Sequence, residues 1–412
     1  MQKNYRRAKL ACYFGNITMS AVSTLSPILF VTFNQEYKIS YTLLGLLAVF
    51  CFGIQLSVDL IFSFFASRFD VHKTVRTTPI FAFAGMLIYA ILPPLFPNLA
   101  YLFLVIGTLL FSVSAGLCEV LLSPIIAAIP SDNPEREMSK LHSIYAWGVV
   151  AVVVVSTLLL KLVTPKYWFF MAGFWCIVPF VDFVLFMTAE LPPVSSGASA
   201  GKKRGLPKGI LLCFVCIFMG GASEVVMTQW CSSFLERALN IPKTAGDICG
   251  LALFAALLGL GRTLYSKFGK NIYRTLLFGM AGALICYLLA ALSPFPILAL
   301  FGCICTGFCV SMLWPGTLIY MEEKHPNPGV VPFALMAAGG DAGASLGPQA
   351  VGLIVDGVIA SPRLTALAER LSLTSEQLGM KTGILFSALF PLVGCVILFV
   401  MKSYYAKRER KQ

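Results

Sequence analysis

The sequence predicts an all-α polytopic membrane protein with 12 transmembrane helices in two pseudo-symmetric six-helix bundles. Three observations predict it. Of the 412 residues, 58% are hydrophobic and 12% charged, and mean hydropathy is +0.82, whereas soluble chains carry about 25% charge. About a dozen apolar runs are separated by short polar turns, and each run approaches the roughly 20 residues needed to cross a bilayer core as helix; membrane β-strands would instead alternate in segments of about 10 residues. A Pro-, Gly- and Ser-rich stretch with a basic cluster, residues 191–208, divides the runs six and six and has the composition of a flexible linker.

In chain order the spans are expected near 8–33, 41–66, 76–93, 99–127, 139–163 and 167–188, then 209–235, 246–266, 272–292, 296–320, 331–359 and 382–402. The domains are thus an N-terminal bundle over 1–190, a cytoplasmic linker over 191–208 and a C-terminal bundle over 209–412. The basic then apolar start, MQKNYRRAKLACYFGN, has no A-x-A site after it and runs on to Phe33, so it reads as an uncleaved first helix. The segment 361–379, with Leu364, Leu367, Leu371 and Leu378 amid charges, reads as a short amphipathic helix on the outer surface.

The net charge of +12 is a matter of topology rather than of nucleic-acid binding. With the N-terminus inside, 22 of the 31 Lys and Arg fall at inner ends and 8 in outer loops, with Arg262 inside a helix. That imbalance places both termini in the cytoplasm, in a plasma-membrane protein. The 13 cysteines lie almost all within apolar runs, where they act as small hydrophobes. The Cys213/Cys216 pair lacks the soluble βαβ context of a redox motif.

The organising span is Gly209 to Leu235, because Glu224 lies 15 residues into it, about 22 Å at 1.5 Å per residue. An ionisable group at that depth costs at least a few kcal/mol and so faces a protein interior or a wet cavity. The alternative is a neutral, hydrogen-bonded glutamic acid that only packs helices. Glu224, Thr228 and Cys231 share one helical face, with Gln229 and Trp230 a turn further out. Asp182 and Asp356, nearer helix ends, are expected to reach water or a basic neighbour, and Arg262 has Asp59 and Asp182 as its candidate partners.

The halves carry short matches of the kind left by internal repeats. Ile39-Ser40-Tyr41-Thr42 before the second span corresponds to Ile241-Pro242-Lys243-Thr244 before the eighth. Arg68-Phe69 with Lys73 and Arg76 corresponds to Lys267-Phe268-Gly269-Lys270 with Arg274.

With these features the chain resembles the major facilitator superfamily. That superfamily has a Gly/Asp/Arg-rich turn between helices 2 and 3, and ASRFDVHKTVR at 66–76 is similar to a degenerate copy. Ser67 stands at its aspartate and Asp70 at its glycine. The resemblance makes Arg68, Lys73 and Arg76 candidate gating residues, with ordinary topogenic charge as the alternative, and Asp59 the substitute for the missing aspartate; Arg262, through its pairing with Asp59 or Asp182, is structural or gating as well.

The stretch 116–148, GLCEVLLSPIIAAIPSDNPEREMSKLHSIYAWG, is similar to the fucose:proton symporter branch, with Glu119 five residues before Pro124 and a fifth-helix opening from Leu141 to Gly148. This resemblance implies that Glu119 takes part in proton coupling. Where that branch places two amides facing the sugar, this chain has His142 and Tyr145, which lie on one helical face but read a different hydroxyl pattern. VSMLWPGTLIYMEE at 310–323 and the Gly-rich 334–357 resemble the branch's helices 10 and 11. Gly339, Gly340, Gly343, Ala344 and Gly347 permit close helix packing, which leaves Asp341, near mid-membrane, unexplained by packing. The chain departs from that branch in having no acid over 8–33.

The proton-coupling candidates are therefore Glu119, Glu224 and Asp341. The solute-binding candidates are Asn16, His142, Tyr145, Thr228, Gln229, Trp230 and Trp314, the aromatics offering flat faces for a ring or, near helix ends, interfacial anchors. No nucleotide-binding Gly-x-x-x-x-Gly-Lys-Ser/Thr and no His-Glu-x-x-His occurs, and the Gly-x-Ser-x-Gly spacings at 197–201 and 343–347 lie in the linker and in an apolar run rather than on a strand-to-helix turn, so neither an ATP-driven pump nor a common hydrolase is supported. The expectation is a monomeric, non-enzymatic transporter whose partners are a small solute, protons and the bilayer. It would take up a small polar, sugar-like solute with protons by alternating access, without a cofactor and without nucleic acid. The alternatives are a proton-antiporting exporter of amphipathic compounds and a membrane sensor that transports nothing.

Overall fold

The computed structural model describes residues 5–65, 68–131, 134–193, 208–325 and 330–409. Among the described residues there is no strand, and 12 helices are long and apolar enough to cross a membrane. They are α1 (Arg6–Tyr37), α2 (Tyr41–Phe65), α3 (Val71–Leu95), α4 (Ala100–Ala128), α5 (Pro134–Val163) and α6 (Trp168–Thr188). The rest are α7 (Lys208–Arg237), α8 (Lys243–Tyr265), α9 (Ile272–Leu292), α10 (Pro296–Lys324), α11 (Val330–Ala360) and α12 (Ser375–Arg408). The fold is all-α, as the composition demands, since a backbone in hydrocarbon must satisfy its own polar groups. Most of the expected linker, 194–207, lies outside the described residues.

Short polar signals set the helix ends. Lys38, at φ 54°, stops α1 in the left-handed region. Asp70 caps α3 by accepting the N–H groups of His72 (3.0 Å) and Lys73 (3.1 Å), and these bonds, Lys73 first, hold its carboxyl below the usual range. Thr374 and Gln377 form a capping box at the start of α12. That box divides the expected surface helix over 361–379. A short helix, Pro362–Arg370, ends before Ser372 at φ 57°, and Leu378 belongs to the last span. Local turn chemistry overrides the leucine spacing there.

The chain packs as two compact units, Met1–Ile39 with Phe50–Ala198, and Ser40–Val49 with Ser199–Gln412. In the first, α3 and α4 approach backbone to backbone at Gly85 and Gly107, where a Cβ on Gly85 would meet Phe111 N at 2.6 Å. Its core is an aromatic cluster of Phe33, Tyr89, Phe111 and Trp168, with Phe33 edge-on to Trp168 at 4.9 Å, and the Tyr89 hydroxyl is satisfied by Ser26 at 2.9 Å. In the second, the small-residue face of α11 lies on α7. A Cβ on Gly343 would meet Ala222 N at 3.0 Å, and one on Gly347 would meet Val226 at 2.9 Å, which is close packing through small residues. The first turns of α2 join this unit, because Asp356 of α11 accepts the N–H groups of Tyr41 (3.1 Å) and Thr42 (2.6 Å), an anion on a helix N-terminus.

Candidate functional site

Among the ionisable groups within the spans, one cluster in each unit contains a sequence-predicted proton-coupling acid. In the second unit the cluster is built around a proline. Pro315 in α10 has no N–H to donate to the carbonyl four residues back, and α10 breaks at Ser311 and Met312. Arg262 of α8 uses the freed group, its Nε donating to the Ser311 carbonyl at 3.0 Å. Its Nη2 donates to both oxygens of Glu224 on α7, at 3.1 and 3.4 Å. One guanidinium thus ties three helices, with Glu224 17% and Arg262 33% exposed. This corrects the expected pairing of Arg262 with Asp59 or Asp182, since Glu224 is the acid it reaches.

The neighbours expected on the Glu224 face divide. Thr228 is half-buried and its hydroxyl donates to the Glu224 carbonyl at 2.9 Å, and Gln229 is buried. Trp230, expected against a solute or as an interfacial anchor, is fully buried, packs on Tyr41 at 5.9 Å and donates its indole N–H to the Pro348 carbonyl at 2.9 Å. It joins α7 to α11. Trp314 is half-buried with its ring against Gly340 and Gly221, so those glycines make room for an aromatic face. Asp341 is buried on the same helix.

In the first unit the acids of α2 and α4 have no base beside them among the described residues. Gly116 of α4 sits on α2, where a Cβ would meet Val58 Cβ at 3.0 Å and Gln55 Cα at 3.1 Å. The next residue of α2 is Asp59, and Glu119 lies one turn along α4. Asp59 is 6% exposed and its Oδ1 has no hydrogen-bond partner among the described residues, and its electrostatic neighbour is Glu119. Glu119 is exposed.

Three polar groups of α1, Asn16, Ser20 and Ser23, serve the α1–α5 contact. Asn16 Nδ2 donates to the Leu141 carbonyl at 2.7 Å, Ser20 donates to the Tyr145 carbonyl at 2.9 Å, and Ser23 meets the Tyr145 hydroxyl at 3.3 Å. Gly148 fits because a Cβ there would strike Ser20. The side chain of His142 lies outside the described residues. Asp182, expected to reach water or a base, does neither, being 1% exposed with both oxygens unpartnered among the described residues, beside Gly15.

Three of the gating candidates, Arg68, Lys73 and Arg76, lie at the α2–α3 turn, whereas Asp59 and Arg262 lie in the two clusters above. The Arg68 guanidinium lies 5.2 Å over the Phe65 ring, Lys73 is 3.9 Å from Asp70, and Arg76 donates to the Ala189 carbonyl at 3.4 Å. Ser67 lies outside the described residues.

A family model described as Major Facilitator Superfamily matches residues 11–348. No curated protein matches the chain. Among solved structures it is similar to a bacterial homologue of the human lysosomal transporter Spinster, inward-facing and occupied, at 16% identity over 99% of each chain with a TM-score of 0.72. It is also similar to a D-xylose–proton symporter, at 15% identity over 94% of this chain and 97% of that one, TM-score 0.72. The nucleoside transporter NupG follows at 14% identity over 95% and 99%, TM-score 0.71.

Proposed function

From its place in the major facilitator superfamily, to which this chain belongs, we propose that this multi-pass membrane transporter takes up a small polar, sugar-like solute together with protons. The observation that carries the reading is Glu119, an exposed acid within the apolar α4 span. Such a position is costly unless the group has work to do there. Glu119, Glu224 and Asp341 are the proposed proton-coupling acids. The bundles 1–190 and 209–412, joined by 191–208, are proposed to work by alternating access. Tyr145, Thr228 and Trp314 are the half-buried groups proposed to meet the solute. Two of the structural neighbours are named for a sugar and for nucleosides, which agrees with a polar, ring-bearing cargo. The basic excess at alternate loops supports a plasma-membrane orientation with both termini in the cytoplasm, and the transporting unit is proposed to be the monomer.

The absence of an acid between residues 8 and 33 favours a second reading, proton-driven export. Uptake of labelled D-xylose, L-fucose and uridine into proteoliposomes separates the two. Accumulation driven by an inward proton gradient and abolished by a protonophore is the expected result. Accumulation under the opposite gradient alone establishes export, and retention of none of the three under either gradient overturns the sugar-like assignment.

A further inference from the structure

The two ionisable clusters differ in one respect that bears on where the proton sits. Glu224 has a guanidinium on it, whereas among the described residues the charged group that acts on Asp59 is a second acid, Glu119. Neither α2 nor α4 contains a Lys, Arg or His. The Gly116 contact with Gln55 and Val58 brings the two backbones together, so the acids cannot separate without unpacking the helices. Asp59 is 94% buried, and its Oδ1 lacks any partner among the described residues. Two ionised carboxylates held together with no cation repel each other, and an unpartnered buried oxygen is costly.

We propose that Asp59 and Glu119 form one proton-binding site, a carboxyl–carboxylate pair that holds a single proton between them. The deprotonated Glu119 oxygen, on the exposed member of the pair, takes the proton from water. The O–H so formed donates to the Asp59 carboxylate, which supplies the missing partner of Oδ1, and the pair changes from two negative charges to one. Asp59, read from sequence as a gating residue, is thereby a proton-positioning residue. This rests on the reading of Glu119 as a proton-coupling acid.

The test is infrared difference spectroscopy of the full chain in lipid vesicles cycled between acid and neutral buffer, with protons as the only probe. Wild type is compared with Asp59→Asn, Glu119→Gln and Glu224→Gln. A shared proton gives one protonated-carboxyl band that is lost or displaced in both Asp59→Asn and Glu119→Gln and kept in Glu224→Gln. An Asp59→Asn spectrum with the wild-type carboxyl band overturns the pair, as does a Glu119→Gln spectrum that retains it. If Asp59→Asn does not fold, Asp59→Glu asks the same question: a displaced band supports the pair, and an unmoved one overturns it. Because no solute is present, an intact shared band with no solute-linked proton flux in proteoliposomes would sink the transport reading and leave the site standing. The converse result would sink the site alone.

Discussion

Arg262 and Glu224 form an ion pair inside the membrane, Nη2 to Oε1 at 3.1 Å, and the pair exists because a proline on a third helix leaves the Ser311 carbonyl free to hold the arginine in place. A base and an acid that are each costly in hydrocarbon become tolerable together. Arg262→Met removes the counter-charge and is expected to lower stability by about 1–3 kcal/mol. Adding Glu224→Gln should recover part of the loss, because the group left without a partner is then neutral. Thermal unfolding of the four proteins in detergent measures the coupling, and additive losses would mean the contact is energetically idle.

The α7–α11 contact is expected to reject even a small side chain. A Cβ on Gly343 meets the Phe218 carbonyl carbon at 2.9 Å and Ala222 N at 3.0 Å, whereas one on Gly53 of α2 meets nothing within 4 Å. Gly343→Val should cost about 1–3 kcal/mol. Gly53→Ala should be neutral or stabilising by up to about 1 kcal/mol. Paired melting curves check both.

Trp230→Phe should leave solute affinity unchanged and cost about 1 kcal/mol of stability through the lost N–H bond to Pro348. Binding measured by solute-induced change in melting temperature would show the opposite pattern if the ring touched cargo.

His325, just past the end of α10, faces the Tyr405 hydroxyl of α12 at 2.8 Å. Burial of its ring, with Arg408 second, holds it below the usual value. The unfolded chain therefore takes up the proton first, near the ordinary histidine value of about 6.5. Stability is full above that pH, falls as pH drops through it, and stops falling below the folded-state value. His325→Gln should flatten this part of the melting profile, and an unchanged slope would place the dependence elsewhere.

The twelve helices were legible because the bilayer dictates their length and composition, and Glu119 stood out as an acid where none is cheap. Side-chain partners were harder to read. Asn16 and Trp230 look like ligand groups in sequence, yet each is spent on a backbone carbonyl of a neighbouring helix. A polar side chain in a span announces that it needs a partner without naming which. The one usable signal was Pro315, whose spacing from Ser311 marks a carbonyl open to a distant donor such as Arg262. Asp182 shows the reverse: its position in the chain suggested water within reach, and packing around Gly15 closed it in. Asp356 similarly gave no sign that its carboxylate caps the start of α2.

The central claim is that protons cross with the solute by way of Glu119, and solute-linked proton movement in proteoliposomes tests it most directly. The pH of weakly buffered vesicles is followed as D-xylose, L-fucose or uridine is added to wild type and to Glu119→Gln. The account predicts proton entry with solute in wild type, and in Glu119→Gln solute exchange without proton entry. Equal proton movement by the two proteins would contradict it.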